Sequence, residues 1–221
     1  MEILLKKGTT KMPVWDNADK TSTTVCTLPS VLTDDLVENC TVKGQTIDGG
    51  DYTGTRFRYV VFRNCRFTDT VFTRAEFVET AFVDCDLSGA DMTETFWENS
   101  LLKSVKGIGI RMSDGYFVDT VIEDCNLRYT DLSRGKWKGG TLRRCDLQEG
   151  FLGECKLTRF TLLGCDLTRT EVMRTPLAGL DLSDSTINGI RCSDTLSELR
   201  GATIDPLQAV EIARRIGIKV K

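Results

Sequence analysis

The chain of 221 residues contains no histidine, so the commonest general base and the commonest nitrogen ligand for metals are both missing. It has no CxxC pair, which removes the usual spacing of zinc and dithiol redox sites. No phosphate-binding glycine loop and no nucleophile elbow occurs. These absences predict a protein that is not an enzyme, with no catalytic residues, no cofactor and no metal. Cations are not in excess either: 29 Lys and Arg against 32 Asp and Glu leave a net charge of −3. That balance lacks the basic footprint that holds a phosphate backbone, so no direct nucleic-acid partner is expected. The opening MEILLKKGTT is too short an apolar run for a signal peptide, and no later run approaches the roughly 20 apolar residues that span a bilayer. A cytoplasmic protein with no membrane partner is expected.

What is present is repetition. Cys65, Cys85, Cys125, Cys145 and Cys165 share one register of 20 residues, broken only by the valine at 105. Every fifth residue from Val42 to Ile187 is apolar, Phe57, Phe62, Phe67, Phe72, Phe77, Phe82, Leu87 and Met92 among them, with Gly107 the one exception. Neither a helix nor a strand has a period of five. Two places before each centre stands a smaller residue such as Thr55, Cys65, Thr70, Ala75, Cys85, Ala90, Cys125 or Thr130. Both positions are expected to face inward, and the registered thiols to behave as small apolar side chains.

Stretches such as CDLSGADMTE, YTDLSRG and LDLSDS resemble the pentapeptide repeat family over roughly residues 40 to 190. The resemblance implies an all-β fold, a right-handed quadrilateral parallel β-helix with four pentapeptides per turn, and the cysteine register independently suggests the same count. Sorting the centres by four puts Phe57, Phe77, Trp97, Phe117 and Trp137 on one face and Leu87, Leu127, Leu147 and Leu167 on another. Stacking of coils buries what one coil cannot, and about seven and a half coils at about 4.8 Å give a rod of roughly 36 Å.

Three segments follow. Residues 1–36, with Pro13, Trp15 and Pro29, lack the pattern and are expected to cap the rod irregularly. Residues 37–204 form the β-helix, with a slip of two in the register after Cys192 and a bulge or kink expected near Gly107 and Gly109. Residues 205–221 carry a short C-terminal α-helix: Asp205 suits the cap, Pro206 the first helical position and Gly217 the residue past the last turn. Ala209, Ile212, Ala213 and Ile216 form its apolar stripe, Glu211 and Arg215 a spaced pair on the polar side, and residues 218–220 a candidate strand.

Aspartates such as Asp86, Asp91, Asp131, Asp146, Asp166 and Asp181 precede a centre, where the repeat itself prefers Asp or Asn, and are read as structural. Divided by face, the charges differ. The face with Asp51, Asp91, Glu94, Asp114, Asp131, Glu154 and Glu171 also carries Arg74, Arg111, Arg134 and Arg174 and is net acidic. On the aromatic face Arg56, Arg58, Lys136, Lys138, Lys156 and Arg159 outnumber Glu76, Glu79, Glu98 and Asp119.

The C-terminal segment, through Asp205, Gln208, Ala209, Arg215, Gly217, Ile218 and Val220, resembles the Qnr and MfpA type within the family, and the unbroken register makes the loop-free MfpA-like rod the nearer analogue. The resemblance implies a homodimer through Leu207, Ala209, Val210, Ile212, Ala213, Ile216, Ile218 and Val220. It also implies a rod that mimics duplex DNA, binds DNA gyrase or topoisomerase IV through the acidic face, and protects the enzyme from quinolones or related poisons, or inhibits it. The competing expectation for function is a structural or protein-interaction solenoid with no topoisomerase partner; the alternative to the homodimer is a helix that caps its own last coil.

Overall fold

The computed structural model describes residues 24–220. They form a parallel β-solenoid of about seven turns with a single short helix at the C-terminal end. The first strands are β1 (Val25–Cys26), β2 (Leu36–Lys43) and β3 (Arg56–Arg63); from Glu76 onward every strand is three residues long. Each residue pairs with the one 20 positions on, as in Phe57 with Phe77 and Phe62 with Phe82. This step is already in force at Val31, which pairs with Asp51. Val25 pairs with Thr41, so the first connection is shorter. Near the other end Asp181 pairs with Thr203, so the slip of two after Cys192 is real. Pro13 and Trp15 lie outside the described residues.

Four faces result, numbered here by their centres: the first on Phe57, Phe77, Trp97, Phe117, Trp137 and Leu157; the second on Phe62, Phe82, Leu102, Ile122, Leu142 and Leu162; the third on Phe67, Leu87, Leu127, Leu147 and Leu167; the fourth on Tyr52, Phe72, Met92, Met112, Leu132, Leu152 and Val172. Nearly all are fully buried. Like stacks on like: ring centroids lie 5.2 Å apart for Phe57 and Phe77, 4.1 Å for Phe77 and Trp97, and 3.9 Å for Phe117 and Trp137.

Each recurring residue type has a bond to make. The small inward residue reaches back to the carbonyl of a centre one coil earlier: the hydroxyls of Thr80 and Ser100 donate to Phe57 and Phe77 at 3.1 and 3.0 Å, and the Cys65 thiol to Val42 at 3.4 Å. Thr, Ser and Cys recur there because they are small enough for the interior and carry a donor. The cysteines are therefore more than small apolar fillers. Burial pushes the Cys155 thiol up to about 11, and the neighbouring Cys125 thiol, with burial, pushes Cys145 up to about 12. Before each centre the aspartate accepts the amide two residues on, as Asp86 does from Ser88, Asp91 from Thr93, Asp131 from Ser133 and Asp181 from Ser183. At each corner, two residues past the centre, the backbone turns left-handed, at φ +59° in Arg74, Glu94 and Asp114 alike.

The expected bulge near Gly107 is absent. Its amide donates to the Asn126 carbonyl at 2.8 Å and the flanking ladder is intact, while Gly109, at φ +67°, is an ordinary corner. A Cβ on Gly107 would meet Leu127 at 2.9 Å and Ile110 at 3.3 Å, so neighbours fill the missing centre without any change of backbone. One covalent feature escapes the repeat logic: Cys26 and Cys40 form a disulfide that ties β1 to β2.

The slip after Cys192 is organised by one buried carboxylate. Glu198 accepts the Arg174 amide at 2.9 Å and both the amide and the hydroxyl of Ser193 at 3.1 and 2.7 Å. Burial alone would raise this carboxyl, but the donors outweigh it and hold it at about 2 rather than 4.5. Because the folded value is the lower one, its stabilisation is complete above the unfolded value and is lost as pH falls through about 2. Melting curves between those limits are expected to show a loss of stability that Glu198→Gln flattens.

Candidate functional site

The acidic face and the C-terminal segment are the two candidate surfaces, and each is built differently from its expected form. On the fourth face the carboxylates divide by position. Asp51, Asp91 and Asp131 stand before a centre, half-buried, with their oxygens engaged in local turns. Glu171 also precedes a centre and is half-buried. Glu94, Asp114 and Glu154 occupy corners, where the left-handed backbone aims the side chain outward, and all three are exposed. They line one edge of the rod.

Arginines are interleaved with them at the coil spacing. Arg111 meets Asp91 at 3.1 Å and Arg174 meets Glu154 at 3.0 Å. Arg134 grips Asp114 with two bonds, Nε to Oδ1 at 2.9 Å and Nη2 to Oδ2 at 2.7 Å. The Arg134 guanidinium holds the Asp114 carboxyl below its usual range. For Asp91, burial opposes ionisation, but Thr93 and Arg111 prevail and lower it. Asp51 is lowered by Thr53. Three carboxylates of the face, Asp91, Asp114 and Glu154, are thus ion-paired one coil away, while among the described residues Asp51, Glu94, Asp131 and Glu171 make no ion pair. A shallow hollow lies among Arg134, Glu154, Glu171, Met173 and Arg174. The arginines were in the sequence, but their 20-residue spacing from Asp91, Asp114 and Glu154 is what makes them partners.

Helix α1 (Pro206–Arg215) begins as expected: Asp205 accepts the amides of Leu207 and Gln208, and the Gln208 side chain returns a bond to the Asp205 amide. Its contact with the rod, however, is polar. Gln208 donates to the carbonyls of Leu182 and Ser185 at 2.9 and 2.6 Å, Glu211 accepts the Gly189 amide at 2.9 Å, and Arg215 donates to the carbonyls of Ile190 and Cys192. Glu211 and Arg215 thus turn to the rod end rather than pairing on an open polar side. The last coil has backbone groups with no further coil to satisfy them, and these three side chains take that role.

Of the predicted dimerisation residues, Val210, Ile212 and Ala213 are half-buried, while Leu207, Ala209, Ile216, Ile218 and Val220 are exposed. Leu207 is 82% exposed and Ile218 53%. Residues 218–220 form no strand. The Ile218 amide closes back on the Ala213 carbonyl at 2.9 Å.

Among the described residues no group of three or more His, Cys, Asp or Glu is placed to hold a metal, and no helix is long and apolar enough to cross a membrane.

Residues 55–132 match a family model described as a pentapeptide repeat region. No curated protein matches the chain. Among solved structures, full-length QnrB1, a plasmid-mediated fluoroquinolone resistance protein, is 20% identical, with 88% of this chain and 98% of that one covered and a TM-score of 0.54. HetL, a pentapeptide repeat protein involved in heterocyst differentiation regulation from the cyanobacterium Nostoc, is 15% identical, with 86% and 94% covered and a TM-score of 0.27. At these identities the likeness to QnrB1 is one of fold.

Proposed function

We propose that this chain, whose residues 55–132 match a pentapeptide repeat region and whose coils on either side repeat that geometry, is a pentapeptide repeat protein that acts as a cytoplasmic, non-catalytic rod and binds DNA gyrase or topoisomerase IV in place of DNA. Binding would protect the enzyme from quinolones or other poisons, or inhibit it. The observation that carries this reading is the exposed corner column of the fourth face, where Glu94, Asp114 and Glu154 stand on one edge of the rod with Arg134 between the last two and Arg74 and Arg174 at the ends. A surface that binds DNA must present cations, and a rigid row of carboxylates is a ligand for it. The fold likeness to QnrB1 supports the same reading.

A second reading rests on the arginines. Arg111, Arg134 and Arg174 neutralise much of the acidic face, and a mixed surface suits an interaction solenoid for some other protein. Titration into gyrase supercoiling and drug-induced cleavage assays separates the two. Supercoiling sustained, or cleavage suppressed, at fluoroquinolone levels that otherwise poison the enzyme supports the first; no effect on either assay and no binding leaves the second.

The exposed apolar residues of the C-terminal segment support a homodimer there. Leu207 and Ile218 take no part in closing the rod, so Leu207→Glu with Ile218→Glu is expected to halve the mass in light scattering without changing the circular dichroism spectrum. Deleting residues 205–221 would also uncover the carbonyls held by Gln208 and Arg215 and is the less clean test.

A further inference from the structure

The first face has a charge arrangement that neither reading uses. Elsewhere cations are largely taken up by carboxylates one coil away, as in Arg66 with Asp48, Lys106 with Asp86, Arg134 with Asp114 and Arg169 with Glu149. On the first face, among the described residues, Lys136, Lys138, Lys156 and Arg159 make no ion pair, nor do Glu76, Glu79 and Glu98. From the coil of Phe77 to that of Leu157 the unpaired groups are sorted along the rod, Glu76, Glu79 and Glu98 on the coils of Phe77 and Trp97 and Lys136, Lys138, Lys156 and Arg159 on those of Trp137 and Leu157. Asp119 stands at the corner of the Phe117 coil, and Arg56 and Arg58, on the coil of Phe57, lie beyond this stretch. Between the two blocks lies the coil of Phe117, whose outer surface is Tyr116 and Val118 with Phe96 beside them, Phe96 and Tyr116 lying 5.8 Å apart.

We propose that this face pairs with the same face of a second copy of the chain, the two rods lying antiparallel about a two-fold axis through the coil of Phe117. The axis maps the Trp137 coil onto the Trp97 coil of the other copy and the Leu157 coil onto the Phe77 coil, because each pair stands an equal number of 20-residue steps from the centre. It also reverses strand direction. Lys136 then faces Glu98, Lys138 faces the ring of Phe96, and Tyr116 faces Val118, with each contact made twice as an isologous interface requires. Lysine over an aromatic ring is itself attractive. The same axis sets Lys156 beside Val78 and Glu76 beside Thr158, which leaves Lys156 and Glu76 diagonal neighbours across the seam and Arg159 and Glu79 at opposite edges. Parallel rods would set like charges opposite one another, and a long polyanion would meet Glu76, Glu79 and Glu98 in its path, so the antiparallel copy is the arrangement that brings the acidic and basic blocks together. The strip spans five coils, about 24 Å, which is small for a stable dimer and makes the association weak and salt-dependent. It does not involve the C-terminal segment and is independent of the topoisomerase reading.

Sedimentation equilibrium of the full chain tests it. Lowering ionic strength from about 1 M to about 0.01 M lengthens charge screening from about 3 to about 30 Å. The weight-average mass is then expected to rise, by about twofold from a monomer and by about twofold or more from a chain already paired through its C-terminal segment, since two isologous contacts on one chain need not close. Lys136→Glu with Lys156→Glu should abolish that rise, as should Glu76→Lys with Glu98→Lys. An equimolar mixture of the two double variants should regain it, since an acidic face then meets a basic one; this arm also guards against loss through misfolding. A wild-type mass independent of salt overturns the proposal, as does a rise that persists in either variant alone or a mixture that fails to associate.

Discussion

Replacing Trp97 with alanine is expected to lower the free energy of unfolding by about 3–5 kcal/mol, read from the denaturant midpoint by circular dichroism. Trp97 is fully buried and stacks on Phe77 at 4.1 Å and Phe117 at 6.3 Å. Its indole N–H donates to the Thr95 hydroxyl at 2.8 Å, so the substitution removes a buried hydrogen bond as well as a large apolar volume. The cavity has little means of closing, because ring planes above and below are fixed by ladders that continue into the neighbouring coils. Phe77→Ala belongs in the same range, since that side chain is also fully buried between stacked rings. Wild-type stability in both variants would contradict the stacking of the first face.

The second large effect concerns binding. If carboxylates substitute for phosphates, Glu94→Lys, Asp114→Lys and Glu154→Lys together are expected to weaken binding to gyrase at least about 100-fold, because close charge pairs across interfaces are worth upwards of about 1.5 kcal/mol each. Surface plasmon resonance at two salt concentrations reads it, and wild-type affinity must itself fall as salt rises. These three sites are preferable to Asp91 and Asp131, whose oxygens hold the Thr93 and Ser133 amides; lysine there would disturb the turn and confuse fold with function. Reversing Lys136, Lys138 and Lys156 on the first face serves as the control and should change topoisomerase binding much less. Equal loss from both sets would mean that several surfaces meet the partner, and unchanged binding in the acidic variant would remove charge mimicry from the account.

Much of this architecture was legible from spacing alone. A period of five with a 20-residue cysteine register yields the four faces, the aromatic column and the slip after Cys192, because in a solenoid each side chain's neighbours are set by its position modulo one coil. The same arithmetic contained the ladder of Arg111 with Asp91 and Arg134 with Asp114, which grouping charges by face alone did not bring out. Other features were not periodic and so were hidden. The Cys26–Cys40 disulfide joins residues 14 apart, off the coil step. Helix α1 has an apolar stripe that suggests burial of Ala209 and Ile216, yet its contact is chosen by the unsatisfied carbonyls of the last coil, which need donors such as Gln208 and Arg215. At Gly107 the expected distortion failed to appear because a ladder bonded on both sides resists bending more than a missing side chain favours it.

The constant 20-residue step also bears on how quickly the chain folds. Parallel sheets ordinarily join strands that are remote in sequence, which delays them, since a long loop must close before any contact is made. Here, apart from the first and last connections, ladder partners are 20 residues apart, about 0.09 of the chain length, a separation in the range of the relative contact order of helical bundles. Each completed coil offers a ready edge to the next, so growth proceeds outward from wherever two coils first meet. A nascent chain can therefore lay down its amino-proximal coils before the carboxyl-terminal helix has been synthesised, and the helix, arriving last, stops the growth.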